Sequence, residues 1–209
     1  MSRVIISLDA LSHNVSRVNR LMADHGARWT AVTKVLCGNG EVLRALSEMG
    51  ICSVGESRFA NLRAVRRAFP DPETWYLRIP SLSMCENAVT LSDVSLNSEL
   101  ETIRRLNEAA GRHGLRHRVI IMIELGDLRE GILPGGLVAF YQSVFQLPNI
   151  EVLGIGTNLG CLAGVPPNTD QLMQLVLYRE LLELKFKTPL PLISAGSSAV
   201  LPLLLDGQV

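Results

Sequence analysis

Residues 118–125 read RVIIMIEL, and residues 126–136, which follow, read GDLREGILPGG. A strand with one solvated face alternates polar and apolar side chains. A run that is apolar at successive positions has both faces covered, as in a parallel sheet flanked by helices. The run therefore predicts a buried parallel strand, and the glycines, proline and charges after it predict a loop. LVAFYQSVFQL (137–147) then predicts a helix, so the local unit is β followed by α.

The same unit recurs on both sides. After a short apolar run VIIS (4–7), the segment 9–26 places Leu11, Val15, Val18 and Leu21/Met22 on one helical face, behind Asp9 as N-cap and ending at Gly26. WTAVTKV (29–35) leads into EVLRALSEM, ICSVGE (51–56) into SRFANLRAVRRAF, WYLRIP (75–80) into SMCENAVTL, and DVSLNS (93–98) into ELETIRRLNEAAGRHG. Downstream, IEVLGIGTN (150–158) leads through a loop into DQLMQLVLYRELLELKF, and LPLISAG (190–196) into SSAVLPLLL. Seven β-then-α units imply parallel strands with right-handed crossovers. An open doubly wound sheet and a (β/α)8 barrel both fit this count. The barrel accounts for the polar motifs TK, GES, LNS, GDLRE, GTN and AGSS, which fall at the C-terminal ends of strands, where barrel sites are assembled. The expectation is an α/β chain of TIM-barrel type, incomplete, with about seven β/α units.

Composition narrows the function. Hydrophobic residues make up 47% and charged residues 19%, globular values, and the formal net charge of zero offers no field to attract nucleic acid or an anionic membrane. No apolar run approaches the roughly 20 residues of a membrane span. The initial segment has too short an apolar core for a signal peptide. The four cysteines, Cys37, Cys52, Cys85 and Cys161, form no CxxC pair, which fits reduced thiols in a cytoplasmic protein. His113 and His117 have i,i+4 spacing, but Gly114 interrupts them and no ligand cluster accompanies them, so no metal is expected.

Of the 20 basic residues, only Lys34, Lys185 and Lys187 are lysine. Lys34 follows an apolar strand. A lysine in partly desolvated surroundings is more often the free amine that attacks a carbonyl, which arginine cannot do; the plain alternative is a lysine snorkelling from a strand end. SAGSSA (194–199) sets a glycine and two serines where a strand turns into a helix, a place suited to an anion or simply to N-capping. GIGTN (154–158) has two glycines that let another group approach the backbone. In GDLREG (126–131) an arginine between two carboxylates could meet a phenolate or carboxylate, or form a loop salt bridge. Glu56, after a strand, is a candidate for orienting the lysine or a cofactor, with helix capping as the alternative.

In order, IISLDALSHN, AVTKV, VGES, RIP, SLNSELE, ELGDLREG, LGIGTN and ISAGSSAVLPLLL resemble the alanine/ornithine racemase family of fold-type III pyridoxal-phosphate proteins, over essentially the whole chain. ELGDLREGILP with GIGTNLGC is similar to the ornithine-racemase-like branch. The resemblance implies an alanine racemase N-terminal domain-like barrel, pyridoxal 5'-phosphate as cofactor, and Lys34 as Schiff-base residue and catalytic base. It implies Arg129 against the cofactor's phenolic oxygen, Asn158 where alanine racemases stack a histidine on the ring, and Ser197 and Ser198 in the phosphate-binding turn. Gly38 stands where alanine racemases have a tyrosine near the phosphate. The resemblance also implies residues 1–8 as a strand joining a C-terminal β-domain, residues 9–209 as the barrel domain without its last strand, and a homodimer in the full-length form.

The function these features imply is inversion of the α-carbon of a free amino acid. Two alternatives stay open: a non-catalytic pyridoxal-phosphate carrier or homeostasis protein, and a Schiff-base aldolase that binds its substrate's own phosphate. Tyr76, Tyr141 and Tyr178 sit in none of the motifs, so no opposite-face base is identified.

Overall fold

Segments with β-branched and apolar runs form strands, and the amphipathic segments between them form helices, so the β-then-α order is realised along the chain. The computed structural model describes residues 4–161 and 164–207. The chain divides into two compact units, Met1–Trp75 and Tyr76–Val209.

In the first unit, helix α1 (Leu8–Asp24) precedes strand β1 (Ala31–Val32), helix α2 (Gly40–Glu48), strand β2 (Ser53–Glu56), helix α3 (Phe59–Ala68) and the first three residues of strand β3 (Glu73–Tyr76). Ser7, not Asp9, caps α1: its hydroxyl accepts from Ala10 N at 3.3 Å, while Asp9 lies inside the first turn, where its charge complements the helix dipole. Residues 4–7 form no strand with described residues, and Val4 and Ile5 are exposed; residues 1–3 of the 1–8 segment lie outside the described residues. β1 and β2 pair in parallel, Ala31 against Val54 and Val32 against Gly55. The apolar faces of the helices close over this sheet: Val15, Leu43, Leu46, Val54, Val65 and Phe69 share one buried cluster.

In the second unit the order is helix α4 (Cys85–Leu91), strand β4 (Val94–Asn97), helix α5 (Leu100–Arg112), strand β5 (His117–Met122), helix α6 (Leu137–Val144), strand β6 (Ile150–Thr157), helix α7 (Thr169–Phe186), strand β7 (Leu192–Ala195) and helix α8 (Leu201–Leu205). β4, β5, β6 and β7 pair in that order, all parallel. The run that predicted a strand covered on both faces is one: Val119, Ile120 and Ile121 are fully buried, and Met122 and Ile123 are 1% exposed. A register shift between Val119 and Ile120 gives β6 one extra residue opposite β5. α7 opens on a capping box in which Asn168 and Gln171 exchange side-chain and backbone bonds. No described helix is long and apolar enough to cross a membrane.

Candidate active site

Lys34 does not lie on the strand itself. β1 ends at Val32, and Lys34 opens a 3₁₀ turn (Lys34–Leu36), with Thr33 between them. Thr33 N donates to Gly55 O at 3.1 Å, extending the β2 pairing by one residue, and Thr33 O accepts from Leu36 N at 2.9 Å, closing the turn. Cys37 (φ 49) and Gly38 (φ 76) then take left-handed conformations that swing the chain into α2, whose first amides are met by the Asn39 carbonyl Oδ1. A Cβ at Gly38 would lie 3.3 Å from Ala64 Cβ and 3.4 Å from Asn61 Oδ1, so the turn has little room for a larger residue there. Lys34 is exposed, which departs from the partly desolvated setting expected of it, because the turn lifts it clear of the strand.

Beneath that turn lies a carboxylate. Glu56, the last residue of β2, is fully buried. Its Oε1 accepts from Thr33 Oγ1 at 2.7 Å, and its Oε2 from Ser57 N at 3.2 Å and Asn61 Nδ2 at 3.1 Å. Glu56 therefore does not cap a surface helix; Arg58 occupies the N-cap position of α3 and makes no side-chain cap. Thr33 and Asn61 escaped the sequence reading. The only signal for Asn61 was its place one turn into a helix after GES.

In the second unit the GDLREG loop is closed at its base. Ile132 N donates to Met122 O (2.9 Å) and Glu124 N to Ile132 O (3.1 Å), while Gln171 Nε2 holds Leu125 O (2.6 Å) and Gly126 N donates to Glu124 Oε1 (2.5 Å). Gly131, at φ 137, passes so close to β5 that a Cβ would sit 2.4 Å from Glu124 N. Arg129 does lie between two carboxylates. Its Nη2 donates to Glu130 Oε1 at 2.7 Å, its Nε is 4.0 Å from Asp127 Oδ2, and its Nη1 lies 3.2 Å from Cys161 Sγ. Partial burial works against the guanidinium's charge, and the Glu130 carboxylate together with Cys161 outweighs it, so its proton is held more tightly than usual. Asn158 Nδ2 donates to the same Glu130 oxygen at 2.7 Å, and Cys161 N to Asp127 Oδ1 at 3.2 Å. Arg129 and Asn158 are thus brought together through Glu130, which the sequence reading treated only as one of two flanking carboxylates.

Ser197 and Ser198 follow β7. Gly196 (φ 74) donates to Thr157 O at 2.9 Å, and Ser197 then caps a three-residue 3₁₀ turn (Ser198–Val200). Its hydroxyl accepts from Ala199 N at 3.2 Å and donates to Leu159 O at 3.0 Å. Ser197 is therefore taken up by the turn, and the short α8 lends little helix dipole to an anion; Ser198 is exposed. The glycines of GIGTN make room for a neighbour strand: a Cβ at Gly154 would fall 1.8 Å from Leu192 O, and one at Gly156 would fall 3.0 Å from Ser194 Cβ.

His113 and His117 part company. His113 shares Glu86 with Arg112, and the hydrogen bonds from Arg112 and then His113 hold that carboxyl below its usual range. His117 is 3% exposed on β5, and its Nε2 meets Ser95 Oγ at 2.8 Å. Ser95 Oγ also accepts from Asn97 Nδ2 at 2.9 Å, which directs the serine proton toward the imidazole. Burial pushes the His117 pKa down to about 4, against the pull of Asp93. Among the described residues no group of three or more His, Cys, Asp or Glu is placed to hold a metal. Of the cysteines only Cys85 is buried, which raises its thiol to about 11; Cys37, Cys52 and Cys161 are exposed.

Pyridoxal phosphate carries an aldehyde, a phenolic oxygen and a phosphate; the first unit offers an exposed amine at Lys34, and the second, taken by itself, offers the Arg129 guanidinium and an exposed Ser198 two residues after a left-handed glycine, residue types whose chemistry fits those groups. A family model, "Alanine racemase, N-terminal domain", matches residues 6–206. The chain belongs to the alanine racemase N-terminal domain family. Its fold class follows: α/β of the TIM-barrel type, with seven β/α units among the described residues. The chain is 33% identical to ornithine racemase of Acetoanaerobium sticklandii over 208 residues, 99% of this chain and 58% of that protein. It is 28% identical to lysine racemase of Thermotoga maritima over 207 residues, again 99% and 58%. The chain thus spans less than two thirds of the curated racemases it matches. Among solved structures, PipY of Synechococcus elongatus with PLP bound superimposes with a TM-score of 0.77 at 20% identity, covering 92% of both chains.

Proposed function

We propose that this chain is the pyridoxal-phosphate-binding part of an amino-acid racemase acting on a free basic or small amino acid, with Lys34 as the residue that links to the cofactor. The family membership and the two racemase relatives support the reaction class. The observation that carries the residue assignment concerns the three lysines. Lys185 lies within α7 and Lys187 ends it, whereas Lys34 alone opens a turn at the C-terminal end of a strand, the end at which barrel enzymes assemble their chemistry.

Bound pyridoxal phosphate supplies an electron sink for the charge left when the α-proton departs. Lys34 Nζ would remove that proton from, or deliver one to, its own face of the substrate, and inversion needs a second acid–base group on the opposite face. Arg129 would donate to the cofactor's phenolic oxygen, and its bond to Glu130 orients the guanidinium. Asn158, tied to the same carboxylate, would help to hold the cofactor. Ser198 would donate to the phosphate, and Ser197 shapes the turn that presents it. Within the 1–8 segment, Val4 and Ile5, 85% and 80% exposed, belong in this reading to a stretch that meets a C-terminal β-domain, while Leu8 opens α1, and the complete protein is a homodimer.

The test is reductive trapping. The protein is mixed with pyridoxal phosphate, reduced with borohydride and digested, and the modified peptide is located by mass spectrometry. A single adduct on Lys34, lost together with the visible absorbance in Lys34→Ala, is expected. Equal labelling of Lys185 and Lys187 overturns the assignment. A pyridoxal-phosphate carrier is the second reading, supported by PipY, whose chain matches this one at nearly equal length. Chiral chromatography of ornithine, lysine and alanine incubated with the complete protein separates the two: inversion supports the racemase, and trapping without inversion supports the carrier.

A further inference from the structure

We propose that the buried Glu56 carboxylate is a positioning residue for Lys34, acting through Thr33 to fix the turn that presents the lysine amine. This deepens the reading of Lys34 given above and rests on it. Three observations meet at Thr33. It is 2% exposed, so its hydroxyl has no water to fall back on, and that hydroxyl is spent on Glu56 Oε1 at 2.7 Å. Its amide is held by Gly55 O and its carbonyl by Leu36 N, so both sides of the residue before Lys34 are fixed. Glu56 is itself immobile: fully buried, at the end of β2, with its second oxygen held by Ser57 N and Asn61 Nδ2.

A buried carboxylate is expensive to keep and is retained where its bonds do something a hydrocarbon cannot. Here its three donors come from β1's end, from the residue after β2 and from α3, so one side chain ties the root of the Lys34 turn to the strand and helix beside it. The lysine is exposed and its long stem samples many rotamers. A fixed root confines the volume that the amine explores, which is how a positioning residue raises the frequency of productive approach.

The experiment follows the rate at which Lys34 is captured by pyridoxal phosphate, read by borohydride trapping, in wild type, Thr33→Val, Thr33→Ser and Glu56→Gln. Trinitrobenzenesulfonate labelling of Lys34 serves as a measure of amine reactivity that needs no orientation. Thr33→Val keeps the shape and removes the donor; capture is expected to slow about tenfold with trinitrobenzenesulfonate labelling unchanged. Thr33→Ser keeps the hydroxyl and is expected to stay within about twofold of wild type. In Glu56→Gln the amide can present its oxygen to Thr33 or to Ser57 and Asn61 but not to both, and capture should slow by about fivefold. This near-isosteric variant keeps the test decisive if Thr33→Val does not fold. Hydrogen exchange at Leu36 N and Cys37 N is expected to quicken in both slowed variants. Wild-type capture rates in Glu56→Gln and in every folded Thr33→Val preparation overturn the positioning role while leaving Lys34 as the linking residue. A wild-type protein that is not captured at Lys34 overturns both.

Discussion

Lowering the pH from 7.5 to 4.5 removes stability through one side chain, His117. The ring is 3% exposed on β5, it accepts the Ser95 proton, and its pKa is held near 4 by burial. In the unfolded chain a histidine titrates near 6.5. Between those values the unfolded state binds the extra proton and the native state does not. Stability is therefore full above about pH 6.5, declines as pH falls toward 4, and declines no further from this source below it. Each pH unit across that window is worth about 1.4 kcal/mol, so the loss at pH 4.5 is about 2.5 kcal/mol. For a chain of this size that corresponds to a fall of roughly 5–10 °C in Tm. Carboxylates titrate in the same range, so the measurement is a difference. Urea unfolding followed by circular dichroism is run at both pH values for wild type and His117→Gln, and the variant's pH-dependent loss is expected to be smaller by about 2.5 kcal/mol. Parallel losses, within about 0.5 kcal/mol, would show that the buried imidazole is not held neutral and would refute the reasoning.

Other perturbations follow from single contacts. Gly154→Ala would place a methyl 1.8 Å from Leu192 O, so β7 must retreat by about 1 Å or its pairing must break; a loss of about 3 kcal/mol or more in urea unfolding is expected. Ser197→Ala removes both a cap and a bond to Leu159 O and should cost about 1 kcal/mol, whereas Ser198→Ala should leave stability within about 0.5 kcal/mol and weaken pyridoxal-phosphate retention measured by dialysis. Glu130→Ala strips the shared acceptor from Arg129 and Asn158, and a destabilisation of about 1–2 kcal/mol is expected by thermal unfolding.

The alternation of strands and helices was legible because each segment's periodicity is a local property: the unbroken apolar run at 118–125 can satisfy its side chains only when covered on both faces, and it is. The lysine at a strand end and the arginine between two carboxylates were legible for the same reason, since their neighbours in sequence are their neighbours in space. Capping was less so. Ser7 and Asp9 are both good N-caps, and which of them carries the extended backbone of a cap depends on where the chain enters the helix. The GIGTN glycines were legible only in part: the sequence shows that a close approach is permitted but not what approaches, and at Gly154 the neighbour is the β7 backbone, 38 residues away in sequence at Leu192.

What the sequence determined by itself is the order of the elements, the family and the residue types proposed for a pyridoxal-phosphate site. What only the tertiary structure decided is which groups hold those residues. Thr33 meets Glu56 across 23 positions and Arg129 meets Cys161 across 32, through bonds whose strength depends on distances of a few tenths of an ångström. Such partners are set by strand pairing and helix packing, not by local propensity, so no pattern along the chain announces them. The exposure of Lys34 has the same origin: composition made it conspicuous, and the 3₁₀ turn anchored by Thr33 lifted it into solvent.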